Sequence, residues 1–239
     1  MNIYKINDIG ELIKDNPYVG RGIVIGKTES GSSAVCAYFI MGRSNNSRNR
    51  VFVKRGTDLY TEPYDASKVE DPSLIIYAAV RETEGGLIVT NGDQTDTVWE
   101  GLNKGLSFSD SLKSREFEPD APNLTPRISG YVTFDKNDFT YEMSILKSAD
   151  ALGTACNRYT FSYPSLNGLG HFIHTYVTDG NPIPTFQGEP ERVAIPDDID
   201  AFTNNLWENL NLDNKISLYV RYTDLDNGEI TERLINKNS

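Results

Sequence analysis

The run Ala34–Met41 (AVCAYFIM) constrains the fold more than any other segment of the chain. Val35, Ala37 and Phe39 alternate with Cys36, Tyr38 and Ile40, so a strand here presents apolar side chains on both of its faces. Such a strand needs one layer above it and another below. Ser73–Val80 (SLIIYAAV) has the same two-sided character. Further strands are expected over Gly22–Gly26, Val51–Val53, Gly86–Thr90, Ile128–Phe134, Phe139–Leu146, Thr160–Tyr163 and Phe172–Val177. Lys215–Tyr222 and Ile230–Ile235 flank Asp226-Asn227-Gly228, a hairpin signal. Helices fit Thr95–Lys104, a shorter piece over Asp110–Arg115, and Asp198–Leu210, where Ile199, Phe202, Leu206 and Leu210 share one face. Many strands, few helices and several two-sided strands predict an α+β sandwich of stacked sheets sheltered by helices. Ile6, Ile9, Leu12 and Ile13 recur at helical spacing before Pro17, so residues 1–16 read as an N-terminal extension to one domain over 17–239.

Charge narrows the range of partners. The chain has 23 Lys+Arg against 34 Asp+Glu, a formal net charge of −11. An acidic surface repels phosphate backbones and anionic lipid, which argues against nucleic acid or a membrane surface as the main ligand. No apolar run approaches the roughly 20 residues of a membrane span. Asp8, Glu11 and Asp15 interrupt the N-terminus, so a secretory signal is not expected. Two cysteines, Cys36 and Cys156, are too few for a disulfide framework or a cysteine zinc site. The expectation is a reduced, cytoplasmic protein, with a homo-oligomer left open.

Three segments carry candidate chemistry. Gly42-Arg43-Ser44-Asn45-Asn46-Ser47-Arg48-Asn49-Arg50 concentrates guanidinium, hydroxyl and amide donors in an acidic chain. Guanidinium forks bind phosphate through paired, charge-assisted hydrogen bonds; a solvated polar turn is the plain alternative. Phe117–Arg127 (FEPDAPNLTPR) is stiffened by three prolines and presents Glu118, Asp120, Asn123, Thr125 and Arg127. A carboxylate near apolar surface on such a loop has the setting of a general base; a surface crossing with solvated acids is the alternative. The third segment, Tyr163–Pro190, holds His171 and His174, both histidines of the chain. Three residues apart in a β-favouring run, they point to opposite faces, which disfavours a shared metal. The phosphate-loop, dinucleotide-loop, serine-elbow and zincin motifs are missing, and apolar neighbours favour an inert Cys36 thiol.

At these segments the sequence resembles the archaeal-type inosine monophosphate cyclohydrolases. The matching stretches are Tyr18-Val19-Gly20-Arg21-Gly22, Tyr38 through Arg50, Asn123–Gly130 (NLTPRISG) and the long block Asn167–Pro190. The resemblance implies a four-layer αββα sandwich of the N-terminal-nucleophile-hydrolase kind, used without the terminal nucleophile; the family-like region opens at Tyr18, with no Ser, Thr or Cys at its start. It also implies a reaction, closure of the purine ring of a formamido-imidazole-carboxamide ribonucleotide. Both reacting groups are already on one molecule, so orientation is a large part of the work, together with a base for the amide proton and donors for the formyl oxygen. No cofactor or metal is called for.

By this resemblance Glu118 is the base or proton shuttle, Tyr77 donates to the formyl oxygen, and Arg43 or Arg48 balances charge or holds the phosphate. Arg21, Ser44, Asn45, Asn123, Thr125, Arg127, His174, Thr175, Asp179, Gly180 and Gly188 are the candidate substrate-binding residues. Two alternatives stand beside this reading. One is a catalytically silent purine-nucleotide sensor. The other is an amide hydrolase whose internal nucleophile, such as Thr57 or Thr154 after a glycine, is unmasked by self-cleavage.

Overall fold

The computed structural model describes residues 2, 4–69 and 76–238, and in it the two-sided strand β2 (Ser33–Met41) separates two cores. Ala34, Cys36, Tyr38 and Ile40 face one core and Val35, Ala37, Phe39 and Met41 the other. β2 lies inside a six-stranded antiparallel sheet, ordered β11 (Glu191–Ala194), β10 (Leu169–His174), β1 (Arg21–Lys27), β2, β12 (Lys215–Asp224) and β13 (Ile230–Asn236). A seven-stranded antiparallel sheet is ordered β3 (Val51–Arg55), β4 (Asp58–Glu62), β5 (Tyr77–Thr83), β6 (Gly86–Thr90), β7 (Arg127–Asp135), β8 (Asp138–Ser148) and β9 (Cys156–Pro164). Ile23 and Ile25 of the first sheet meet Val89, Ile128 and Met143 of the second in the shared core.

Helices cover the outer faces. α1 (Ile9–Ile13) and α5 (Ile199–Asn209) bury Ile9, Ile13, Phe202 and Leu206 against Val24, Phe39 and Leu218. On the other side, Val98 of α3 (Gln94–Asn103) and Phe108 of α4 (Phe108–Ser111) pack on Ile88 and Leu146. The stack is therefore helix, sheet, sheet, helix, an α+β sandwich. The N-terminal residues are stitched to it: Asn7 bridges Val193, and α1 is capped by Asp8, which accepts from the Glu11 amide at 3.0 Å and from the Asn205 side chain.

Most expected elements form within a few residues of their expected limits. The strand expected over Ser73–Val80 forms from Tyr77 onward, while Ser73, Leu74 and Ile75 lie outside the described residues. The short helix begins at Phe108 rather than Asp110, because the Ser107 side chain caps it by accepting from the Asp110 amide at 3.1 Å. The strand expected over Phe172–Val177 ends at His174. Beyond it the Thr175 and Tyr176 amides donate to Arg21 and Val19 carbonyls in an irregular continuation. Among the described residues four short elements were not foreseen, β4, β11, α2 (Asn45–Arg48) and a 3-10 turn over Ala66–Lys68. Among the described residues, no helix is long and apolar enough to cross a membrane.

Candidate functional site

β1, β5 and β7 begin, and β2 and β10 end, at one edge of the sandwich. There a cavity of about 260 Å³ is lined by Tyr18, Arg21, Arg43, Ser44, Asn46, Ser47, Arg50, Glu118, Asp120, Asn123, Thr125, Tyr176 and Ile183. All three segments singled out in the sequence meet at it. A larger groove of about 560 Å³ lies beside α5, lined by Asp8, Glu29, Ile195, Phe202 and their neighbours. Among the described residues its lining has no cationic side chain, so it is the smaller cavity that suits an anionic ligand.

Gly20 makes the close approach that opens the site. Its φ is +78°, and a Cβ there would lie 2.1 Å from Thr175 Oγ1, so glycine is required on both steric and conformational grounds. Thr175 Oγ1 accepts from the Arg21 amide at 3.1 Å and donates to the Val19 carbonyl at 3.2 Å. This sets the start of β1 and with it the Arg21 side chain. The Arg21 guanidinium is 3.8 Å from the Glu118 carboxylate. Glu118 is carried by the proline-rich loop, where its amide donates to the Thr125 carbonyl at 2.8 Å. Next to it Leu124 holds a φ of +46°, a conformation of the kind that tertiary contacts must enforce.

Burial dominates the electrostatics. Glu118 is 4% exposed, Arg21 7% and Arg50 6%. Burial pushes the Glu118 carboxyl above its usual range, opposed by the charges of Arg21 and Arg127 and assisted by Asp120. Burial, then the neighbouring Arg21 charge, pulls the Arg50 guanidinium down, yet arginine remains protonated at neutral pH. The Nε atoms of both arginines are buried with no hydrogen-bond partner among the described residues. Buried cationic donors without partners are costly, and an anionic ligand would satisfy them.

The other candidates are spread around this centre. Arg43 forms an ion pair with Asp179, donates to the Gly180 carbonyl at 2.9 Å, and lies over the Tyr18 ring. Ser44 caps α2, accepting from the Ser47 amide at 3.0 Å. Asn45 is exposed on that helix. Arg48 points elsewhere, donating to the Gly42 carbonyl at 3.1 Å and to Asn214 at 2.8 Å. Tyr77 is buried behind the cavity, its hydroxyl 2.9 Å from that of Tyr38. Arg127 donates to Asp93 at 2.7 Å and to Gln94 at 2.8 Å, outside the lining.

The histidines do lie on opposite faces. His171 bonds to the Tyr141 hydroxyl at 2.6 Å and stacks on Tyr163, and burial lowers its pKa to about 4. His174 donates from Nδ1 to the Tyr176 carbonyl at 2.7 Å and stacks on Phe172. It lies away from the cavity, bracing the segment that carries Tyr176. Gly188 is exposed, with nothing within 4 Å of a Cβ built there. Arg50, Tyr18, Tyr38 and Tyr176 were inside the recognised segments but were not singled out. Residue type alone does not separate Arg50 from Arg48; the single turn of α2 does so by sending their side chains in different directions.

The chain matches the family described as IMP cyclohydrolase-like protein over residues 18–228. It is 34% identical over 116 residues to a protein of Methanopyrus kandleri named IMP cyclohydrolase, covering 47% of this chain and 57% of that relative. With the Haloarcula marismortui protein of the same name the identity is 36% over 127 residues, 52% and 58% of the two chains. With that of Methanococcus aeolicus it is 27% over 163 residues, 66% and 74%. The matched region thus spans a little over half the length of the first two relatives.

Proposed function

The chain belongs to the IMP cyclohydrolase-like family, and we propose that it closes the purine ring of 5-formamidoimidazole-4-carboxamide ribonucleotide to give inosine monophosphate. The observation that carries this reading is the buried Glu118 carboxylate beside Arg21, at a cavity where the Nε atoms of Arg21 and Arg50 have no hydrogen-bond partner among the described residues. The carboxamide nitrogen attacks the formyl carbon as Glu118 takes its proton. The formyl oxygen gains charge, receives a hydrogen bond from Tyr77 and is balanced by Arg21 and Arg50. Glu118 returns the proton to that oxygen, making it a hydroxyl and restoring the carboxylate; the carbon–oxygen bond then breaks while a double bond forms to the formamido nitrogen, and that nitrogen's proton leaves with the hydroxyl as water. Both reacting groups belong to one molecule, so holding them in contact supplies much of the acceleration; the step requires no redox cofactor.

Arg43, Ser44 and Ser47 take the 5′-phosphate in this proposal, and Asp179 and Gly180 hold Arg43 in place. Asn123 and Thr125 shape the opposite wall, while Arg48 braces the loop. We read the stack as an N-terminal-nucleophile-hydrolase-like fold over residues 17–239, acting on a small nucleotide. The unpaired Cys36 and Cys156 suit a reduced cytoplasmic setting.

Two measurements test these roles. Tyr77→Phe is expected to lower kcat by about a hundredfold, the scale for losing one donor to a developing oxyanion, with KM little changed. A pure KM effect would contradict the donor role. Arg43→Met is expected to weaken inosine monophosphate binding by about 10–100-fold in titration calorimetry, since hydrogen bonds to charged groups contribute about 1.5–3 kcal/mol. An unaltered Kd would remove Arg43 from the phosphate site.

A further inference from the structure

Asp120, Thr125 and Tyr176 form a hydrogen-bonded chain along the cavity wall. The Asp120 carboxylate accepts from the Thr125 amide at 2.6 Å and from the Thr125 hydroxyl. Thr125 Oγ1 is 2.5 Å from the Tyr176 hydroxyl. A threonine hydroxyl has one proton. Because that proton goes to a carboxylate already accepting from the same residue's amide, Thr125 can only accept from Tyr176. The tyrosine in turn has one proton, and burial keeps it on the oxygen, so that proton is committed to Thr125. What Tyr176 offers the cavity is lone pairs alone.

We propose that this chain locks Tyr176 as an obligate hydrogen-bond acceptor that reads a ribose hydroxyl of the bound nucleotide. The proposal rests on the nucleotide reading of the cavity. A ribonucleotide's phosphate carries only acceptors at neutral pH, so a locked acceptor suits another part of the ligand. The position selects the sugar. Tyr176 stacks on Tyr18 at 5.7 Å between ring centres, and Arg43 lies 5.2 Å over the same Tyr18 ring. The acceptor is therefore one aromatic ring away from the proposed phosphate cation, and the sugar is the group joined directly to the phosphate. Asp120 and Thr125 are positioning residues, since they fix the direction of the hydrogen bond rather than supply it.

The test is calorimetric binding of inosine monophosphate and its 2′-deoxy and 3′-deoxy analogues. The wild-type protein should prefer the ribonucleotide over at least one analogue by about tenfold or more, because the missing hydroxyl leaves a buried acceptor unpaired. Tyr176→Phe should reduce that preference to about twofold or less. Asp120→Asn keeps the shape, and its amide can donate to Thr125 Oγ1, which reverses the chain and turns the Tyr176 proton towards the ligand. A ribose hydroxyl accepts as well as donates, so this variant should still prefer the ribonucleotide to the deoxy analogue, but it should bind the fluoro analogue at that position, an acceptor with no proton to give, about tenfold better relative to the ribonucleotide than the wild-type protein does. Thr125→Ser, which keeps the hydroxyl, should behave as wild type. Equal wild-type affinity for all three ligands, or a preference that survives in Tyr176→Phe, overturns the lock. If the variants weaken all three ligands alike, the chain merely braces the wall and the proposal fails. If the wild-type protein binds none of them, the nucleotide reading itself fails.

Discussion

Glu118→Gln is expected to lower turnover by about 10²–10⁴-fold, the range over which a positioned general base contributes, while inosine monophosphate still binds. The glutamine keeps the size of the side chain and its place on the loop, but it cannot accept the carboxamide proton. The same residue sets the acid limb of the pH profile. Burial raises the carboxyl above its ordinary range, and only the ionised form is a base. Activity should therefore fall as pH drops through a value above that of an ordinary glutamate, and the limb should vanish from any residual activity of the variant. Turnover within about tenfold of wild type would place the base elsewhere, since one power of ten corresponds to only about 1.4 kcal/mol of barrier.

The other large effect concerns stability. Phe39 is fully buried on the helix-facing side of β2, tilted against Phe172 at 6.0 Å between ring centres. It fills the space left by Gly22 on the neighbouring strand, where a Cβ would approach the Phe39 ring to 2.3 Å. Phe39→Ala removes the ring from a position that the paired strands cannot readily collapse into. The expected loss is about 3–5 kcal/mol, a large share of the roughly 5–15 kcal/mol that holds a typical domain together. For a domain of this size that is a fall in Tm of about 6–20 °C. Urea unfolding measures it directly, and a loss below about 1 kcal/mol would mean that Phe39 does not carry this core.

The two-sided strand was the most informative feature of the sequence because alternation along β2 maps directly onto faces: the even-numbered side chains enter the inter-sheet core and the odd-numbered ones meet α1 and α5. The elements that escaped notice are short. β4 has five residues with charged ends, β11 has four, and α2 has one turn fixed by Ser44 and Ser47. The two strands form because neighbouring strands pair with them, which periodicity within them does not record, and the helical turn forms through its own capping box. The site follows the same division. The three segments stood out by residue type, and the resemblance supplied the pairing of Glu118 with an arginine-rich loop. Burial did not show in the sequence. It separates Arg50, whose Nε is enclosed without a partner among the described residues, from Arg48, which is occupied by Gly42 and Asn214. Nor did local sequence indicate that Tyr176 would meet Thr125 across two loops, or that His174 would turn its ring towards Phe172 and Phe186.

Ring closure at the Glu118 cavity is tested most directly by turnover of the purified wild-type protein. The protein is mixed with the formylated imidazole carboxamide ribonucleotide in the presence of a chelator, and purine formation is followed by absorbance. Inosine monophosphate is expected to appear steadily, at a rate that the chelator does not change. An unaltered formylated substrate, alongside tight binding of inosine monophosphate, would contradict it and identify a nucleotide sensor instead.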